Sequence, residues 1–148
     1  MNDVFVFLIL LLAFIAGAAK NIQRSRQRLY KAELPFFRKV EAVVSVALLA
    51  MVALLGGSQG AHYMLALMAA AFIVSGVTSA GIHPEGILYF HGTSALARIE
   101  TWEEIKEVKM EEGEEKVSLH FQGKRGHFRQ EYPKNAAKEL RQMIKKHT

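Results

Sequence analysis

Six histidines, His62, His83, His91, His120, His127 and His147, are the first residues to test for metal or acid–base chemistry. Their spacing contains neither His-Glu-x-x-His nor His-x-His, patterns that turn two imidazoles toward one ion. His120 and His127 flank Gly123-Lys124-Arg125-Gly126, which reads as a hairpin turn, so neighbouring strands bring them near each other. Two imidazoles at exposed strand positions read more simply as surface residues than as a metal pair. The run Glu111-Glu112-Gly113-Glu114-Glu115 lacks the alternating ligand spacing of a calcium loop and reads as a solvated hairpin tip. Glu103 and Glu104 are adjacent, and no regular element aims both at one site. The chain has no cysteine, which removes disulfides, thiolate catalysis and cysteine zinc sites. There is no glycine-rich phosphate loop, nucleophile elbow or Ser/His/Asp arrangement. The expectation is therefore no catalytic residue, no metal and no cofactor.

Charge is the stronger signal. The formal net charge of the 148 residues is +5, and it is unevenly placed. Residues 20–39 hold seven cations (Lys20, Arg24, Arg26, Arg28, Lys31, Arg38 and Lys39) against Glu33 alone, a net of +6. Residues 83–148 hold twelve basic and eleven acidic side chains, a net of +1. A basic nucleic-acid domain would spread its charge over a recognition face with stacking aromatics, and neither is present. Seven cations beside an apolar run suit anionic lipid headgroups instead, at about 1 kcal/mol each. Arg24, Arg28 and Lys31 share a face if the first helix continues to about Glu33.

The elements that must position these residues begin with two charge-free stretches, residues 4–19 and 42–82. Hydropathy and turn residues divide the chain into a membrane helix over 1–21, a basic loop or helix extension over 22–39, a second membrane helix over 40–56, an external turn over 57–61, a third membrane helix over 62–82 and a soluble domain over 83–148. Ala16-Gly17-Ala18 resembles a signal-peptide cleavage site, but the segment before it carries Asp3 and no cation, which favours a retained helix. The loop between the first two helices holds seven Lys and Arg while the N-terminus and the turn between the second and third helices hold none, so that loop, and with it the C-terminal domain, is expected in the cytoplasm and the N-terminus outside. Small residues in the third helix, Ala71, Ser75 and Ser79 with Gly76 and Ala80, suit close packing within the chain or a homo-oligomer face. No Asp, Glu, Lys or Arg lies mid-segment, which counts against a transporter.

The C-terminal domain reads as about five antiparallel strands and one amphipathic helix. Val117, Leu119 and Phe121 alternate inward, Phe128 is the surest inward residue of the next strand, and Leu140 centres the helix stripe. Thr101-Trp102-Glu103-Glu104-Ile105 reads as a capped single turn between strands, with Trp102 and Ile105 as core pegs.

The order GIHPEGILYF, RIETWEEIKEVKM, KVSLHFQ, HFRQEY and a C-terminal helix resembles bacterial membrane-anchored proteins with a PH-like domain, of the YcxB-like kind. Gly86-Ile87 and the Trp102-x-x-Ile105 step carry the resemblance over roughly residues 82–147. It implies a PH-like fold at a membrane and supplies no catalytic residues. The expected fold class is thus three transmembrane helices plus a cytoplasmic α+β PH-like domain. The expected function is a non-enzymatic interaction or assembly module at the inner membrane face. Its partners would be anionic lipid and an unidentified protein, with no nucleic acid. A small oligomeric channel or transporter subunit, or an accessory subunit of a larger membrane complex, is the alternative.

Overall fold

The computed structural model describes residues 3–56, 60–90 and 96–147. Helix α1 (Asp3–Arg26) leads to a two-residue strand β1 (Tyr30–Lys31), followed by α2 (Phe36–Leu55) and α3 (Gly60–Val77). Strands β2 (Gly81–His83), β3 (Gly86–Tyr89) and β4 (Arg98–Thr101) come next, then a 3-10 turn at Trp102–Glu104. Strands β5 (Glu107–Glu112), β6 (Lys116–Gly123) and β7 (Gly126–Pro133) precede the C-terminal helix α4 (Ala137–His147).

Helices α1 and α3 are long and apolar enough to cross a membrane. Only 6% of the apolar window of α1 and 22% of that of α3 are buried by the rest of the chain, unlike the core helix of a soluble protein. Large side chains such as Phe5, Leu12, Val43, Leu48, Val52 and Leu67 face outward along all three helices. Uncovered apolar surface on this scale marks an interaction with membrane or protein. Helix α2 differs from the expected second span in one respect: Arg38, Lys39 and Glu41 occupy its opening turns. Its charge-free part, residues 42–55, is about 21 Å long.

Helix α3 packs against both α1 and α2. Gly17 permits the approach to α1, since a Cβ there would lie 2.5 Å from the Phe72 ring. The small residues of α3 serve the same contact: Ser75 accepts a hydrogen bond from the Asn21 amide at 3.3 Å. Ser79 lies beyond the helix. The expected span over 62–82 stops at Val77 because the Thr78 and Ser79 hydroxyls donate back to the Val74 and Gly76 carbonyls, at 2.8 and 2.6 Å, and close the helix end.

Beyond α3 the chain turns to sheet. Strands β1, β2, β3 and β4 form one antiparallel sheet in that order, and β5, β6 and β7 form another. Seven strands thus replace the expected five. The two extra ones come from stretches assigned to the basic loop and to the third helix. The α1 helix ends at Arg26 rather than about Glu33, so Arg28 and Lys31 lie outside it and share no helical face with Arg24. Tyr30 and Lys31 instead pair with Ile82 and Gly81. The α2–α3 hairpin is therefore an insertion between two neighbouring strands of one sheet.

A single cluster joins the sheets. Ile82, Ile87 and Tyr89 meet Leu119, Phe121 and Tyr132, with Leu140 of α4 over them. Val117, Leu119, Phe121 and Leu140 are buried as the alternation requires. Phe128 has the expected phase but is only half-buried at the open end of β7, while Gln130 and Tyr132 fill the deeper positions. Gln130 is accommodated because its amide donates to Leu88 O at 2.8 Å and its carbonyl accepts from the Tyr132 hydroxyl. Trp102 and Ile105 are half-buried at the cluster's edge rather than deep within it. Thr101 makes no side-chain cap bond, so no capping box forms. The Trp102 backbone N–H donates to Glu85 O at 3.1 Å and its indole N–H to Pro84 O at 3.0 Å. Residues 57–59 of the expected external turn, and residues 91–95, lie outside the described residues.

Candidate functional site

The last turns of α1 and the segment that follows tie the helices to both sheets. Asn21, fully buried at the end of the apolar run, bonds through both ends of its side-chain amide. Its NH2 donates to Ser75 Oγ at 3.3 Å and Phe72 O at 3.5 Å, and its Oδ1 accepts the Ala97 backbone N–H at 3.0 Å. One turn later Arg24 donates to Ala97 O, and Arg28 donates to Thr78 O at 2.6 Å. Burial pulls the Arg28 guanidinium below its usual pKa. Leu29 N–H donates to Ile82 O at 2.7 Å and Glu33 N–H to Glu131 O at 2.6 Å, so the segment touches the first sheet and then the second. The Lys116 ammonium closes the end of the segment by pairing with Glu33 at 2.6 Å, which raises its pKa.

The seven predicted lipid-contact cations consequently divide. Lys20, Arg26, Lys31 and Lys39 are exposed. Arg24, Arg28 and Arg38 are half-buried and engaged by protein groups. Arg38 pairs with Glu41 at 2.7 Å and lies over the Phe90 ring, 5.2 Å from its centroid.

Beyond Glu33 the chain turns over a crevice of about 230 Å³ between the start of α2 and the first half of β7. Leu34, Pro35, Phe90 and Phe128 supply its apolar walls, and Arg38 and Arg129 its charged rim. Phe128 is held by ring contacts to Tyr89 at 4.3 Å and Phe121 at 5.2 Å. Phe36 and Phe37, which follow Pro35 in the first turn of α2, are 80% and 75% exposed. The crevice is smaller than the roughly 300–1,000 Å³ typical of small-molecule sites. One or two side chains would fill it, in the manner of an interface anchor pocket.

Behind Phe128, Tyr89 donates its hydroxyl to Glu100 at 3.0 Å. Burial, and then that hydrogen bond, push the Tyr89 phenol up to about 12. Among the described residues, no group of three or more His, Asp or Glu is arranged to hold a metal. Asn21, Phe90 and Glu100 were not singled out by sequence. The one signal for them was Asn21 itself, a neutral polar residue at the boundary between an apolar run and a basic one. No family model matches this chain, and no curated protein or solved structure matches it.

Proposed function

We propose that this protein is a non-enzymatic, membrane-anchored interaction or assembly module of a bacterial cell. Three helices cross the membrane with the N-terminus outside, and a PH-like domain stands at the inner face. A four-plus-three arrangement of antiparallel strands with a C-terminal helix against them supports the PH-like reading. The seven Lys and Arg between α1 and α2, against none before α1 or between α2 and α3, support the orientation.

One observation carries the functional reading: β1, before the α2–α3 hairpin, pairs with β2 after it. A domain hung from a single linker would sample many orientations. Here the strand pairing and the Asn21, Arg24 and Arg28 bonds hold the sheets at a fixed height and angle to the helices. A fixed domain presents one surface to whatever lies at the membrane. The Leu34–Pro35–Phe128 crevice, sized for a side-chain anchor and rimmed by arginine, is the surface best suited to a protein partner.

The test is photo-crosslinking in native membranes from a reactive residue placed at Phe128, with Lys138 on the far helix as control. A defined protein adduct from position 128, absent from 138, is the expected result. Adducts only to a second copy of the chain would replace this reading with a homo-oligomeric one. A reporter-fusion map finding the C-terminus outside the cytoplasm would overturn the orientation.

A further inference from the structure

A second cavity, of about 390 Å³, opens on the other side of Tyr89 and is lined by Arg24, Arg98, Lys124 and Arg125. These four cations come from three separate pieces of chain: the last turn of α1, the start of β4 and the β6–β7 turn. Sequence reading singled out only Arg24, because the others are scattered through a nearly neutral domain.

The cations are not explained as counter-charges to the acid between them. Glu100 is buried at the floor, and its two oxygens are occupied by the Tyr89 hydroxyl and the Lys124 backbone N–H. None of the ion pairs among the described residues involves Glu100. Glu104 pairs with the Lys124 ammonium at 3.4 Å. Four cations against two carboxylates leave the cavity at +2. Arg98 and Arg125 have no ion-pair partner among the described residues, and Arg24 spends one N–H of its five on Ala97 O. Two guanidiniums with open donor forks, converging in a concave site, suit the oxygens of a phosphate.

Depth selects the source. Given the membrane placement proposed above, on which this inference rests, the apolar part of α1 ends at Lys20. Arg24 lies about 6 Å further along the axis. The headgroup zone is roughly 5–8 Å thick on each side of the hydrocarbon core. The cavity mouth therefore sits at the level of the lipid phosphates.

We propose that this cavity binds a phosphate group, that of an anionic phospholipid in the inner leaflet, with Arg98 and Arg125 as its principal ligands and Arg24 linking the occupied site to α1. Full-length protein in a neutral detergent would be titrated with phosphatidylglycerol, phosphatidylcholine and glycerol phosphate, and bound molecules counted by native mass spectrometry. Phosphatidylglycerol should bind in preference to phosphatidylcholine. The R98Q/R125Q variant should lose that preference, with affinity lowered about thirtyfold for two cations at the surface. K138Q/K145Q on α4 should leave it unchanged. R125Q alone, at an exposed turn position, should give about fivefold and covers the case of a double variant that does not fold. Glycerol phosphate binding with the same sensitivity to Arg98 and Arg125 would keep the phosphate site and assign it to a soluble ligand. A folded R98Q/R125Q protein that binds phosphatidylglycerol as the wild type does would overturn the proposal. The reporter-fusion map is independent of both arginines, so failure of the site and failure of the membrane placement give different results.

Discussion

The two sheets of this protein are built by opposite strategies. The second, β5–β6–β7, is made of adjacent segments joined by tight turns, and its strands are six to eight residues long. In β6, buried and less buried residues alternate along the whole strand. The first sheet has strands of two, three, four and four residues. Its neighbours β1 and β2 are separated by the entire α2–α3 hairpin, and every residue of β2 and β3 is buried. Ile82, Ile87 and Tyr89 face the shared cluster, while Leu88 points to the other face and is fully buried there too. A sheet covered on both faces depends on whatever covers it. With the α2–α3 hairpin inserted between β1 and β2, the helices are part of the first sheet's structure rather than an anchor attached to it.

The strongest attack on this contrast is to cut the chain where hydropathy suggests a domain boundary. A fragment of residues 83–148 keeps the second sheet and α4 intact but loses β1, Ile82 and the segment from Asn21 to Glu33. Each fully buried aliphatic side chain left facing water forfeits about 1.5–3 kcal/mol. Small domains have only about 5–15 kcal/mol in total. The fragment should show no cooperative thermal transition by circular dichroism, while the full chain in detergent should melt cooperatively. A sharp transition in the fragment would mean the first sheet is as self-sufficient as the second.

Glycines sharpen the comparison at single positions. In the first sheet a Cβ on Gly86 would lie 1.9 Å from Glu100 O, and one on Gly81 2.1 Å from Tyr30 O. Both obstacles are backbone carbonyls of the paired strand, which move only if the pairing breaks. In the second sheet a methyl added to Gly126, at φ +133°, would have nothing within 4 Å, so alanine there meets only backbone strain. Gly86→Ala should destabilise by about 3 kcal/mol and Gly126→Ala by about 1 kcal/mol. Chemical denaturation of both variants in the same detergent gives the ratio. Equal losses would show that the two sheets tolerate crowding alike.

The same contrast explains what was legible. The alternation of Val117, Leu119 and Phe121 and the stripe around Leu140 placed the second sheet and α4 correctly, because one face is wet and one dry. The apolar helices were legible for a different reason, long runs without a charge. Tyr30–Lys31 carries no period because a two-residue edge strand has no room for one. Gly81 and Ile82 of β2 were absorbed into the preceding apolar run because a strand buried on both faces looks like more helix. Of the candidate site, the cations of residues 20–39 were legible as a group. Their division into exposed and engaged members was not, since Ala97 O and Thr78 O are backbone acceptors brought in from 73 and 50 residues away. Phe128 was misjudged in depth for a related reason. Its strand position is inward, but the crevice beside Pro35 exists only because β1 leads into α2 there.

Asn21 tests the junction itself. Replacing it with alanine leaves the Ala97 N–H buried without its acceptor and removes the link to Ser75. The expected loss is about 2 kcal/mol, together with faster hydrogen exchange at Ala97 and along β4. Lys31→Ala, on the exposed side of β1, should change neither measurement by more than about 0.5 kcal/mol. Unchanged exchange at Ala97 in N21A would mean that β4 is held by its strand partner β3 alone.

A similarly small effect comes from a residue packed between the sheets. Tyr89 belongs to the first sheet, but its ring packs on Phe128 and Phe121 of the second, while its hydroxyl donates to Glu100. Its pKa is raised to about 12 from the ordinary 10.0, so the fold favours the neutral phenol. Stability from this group is then complete below about pH 10 and is lost as pH climbs through about 12. Tyr89→Phe keeps the ring contacts and removes the hydrogen bond, for a loss of about 1 kcal/mol at neutral pH. The same variant should flatten the fall in melting temperature between pH 10 and 12, leaving the more strongly raised Tyr132 to titrate at higher pH. A wild-type melting curve that is flat over this interval would place Tyr89 in contact with water. Tyr89 would then tie the sheets only through its ring, beside the Gln130 bond to Leu88 O and the Lys124 N–H bond to Glu100.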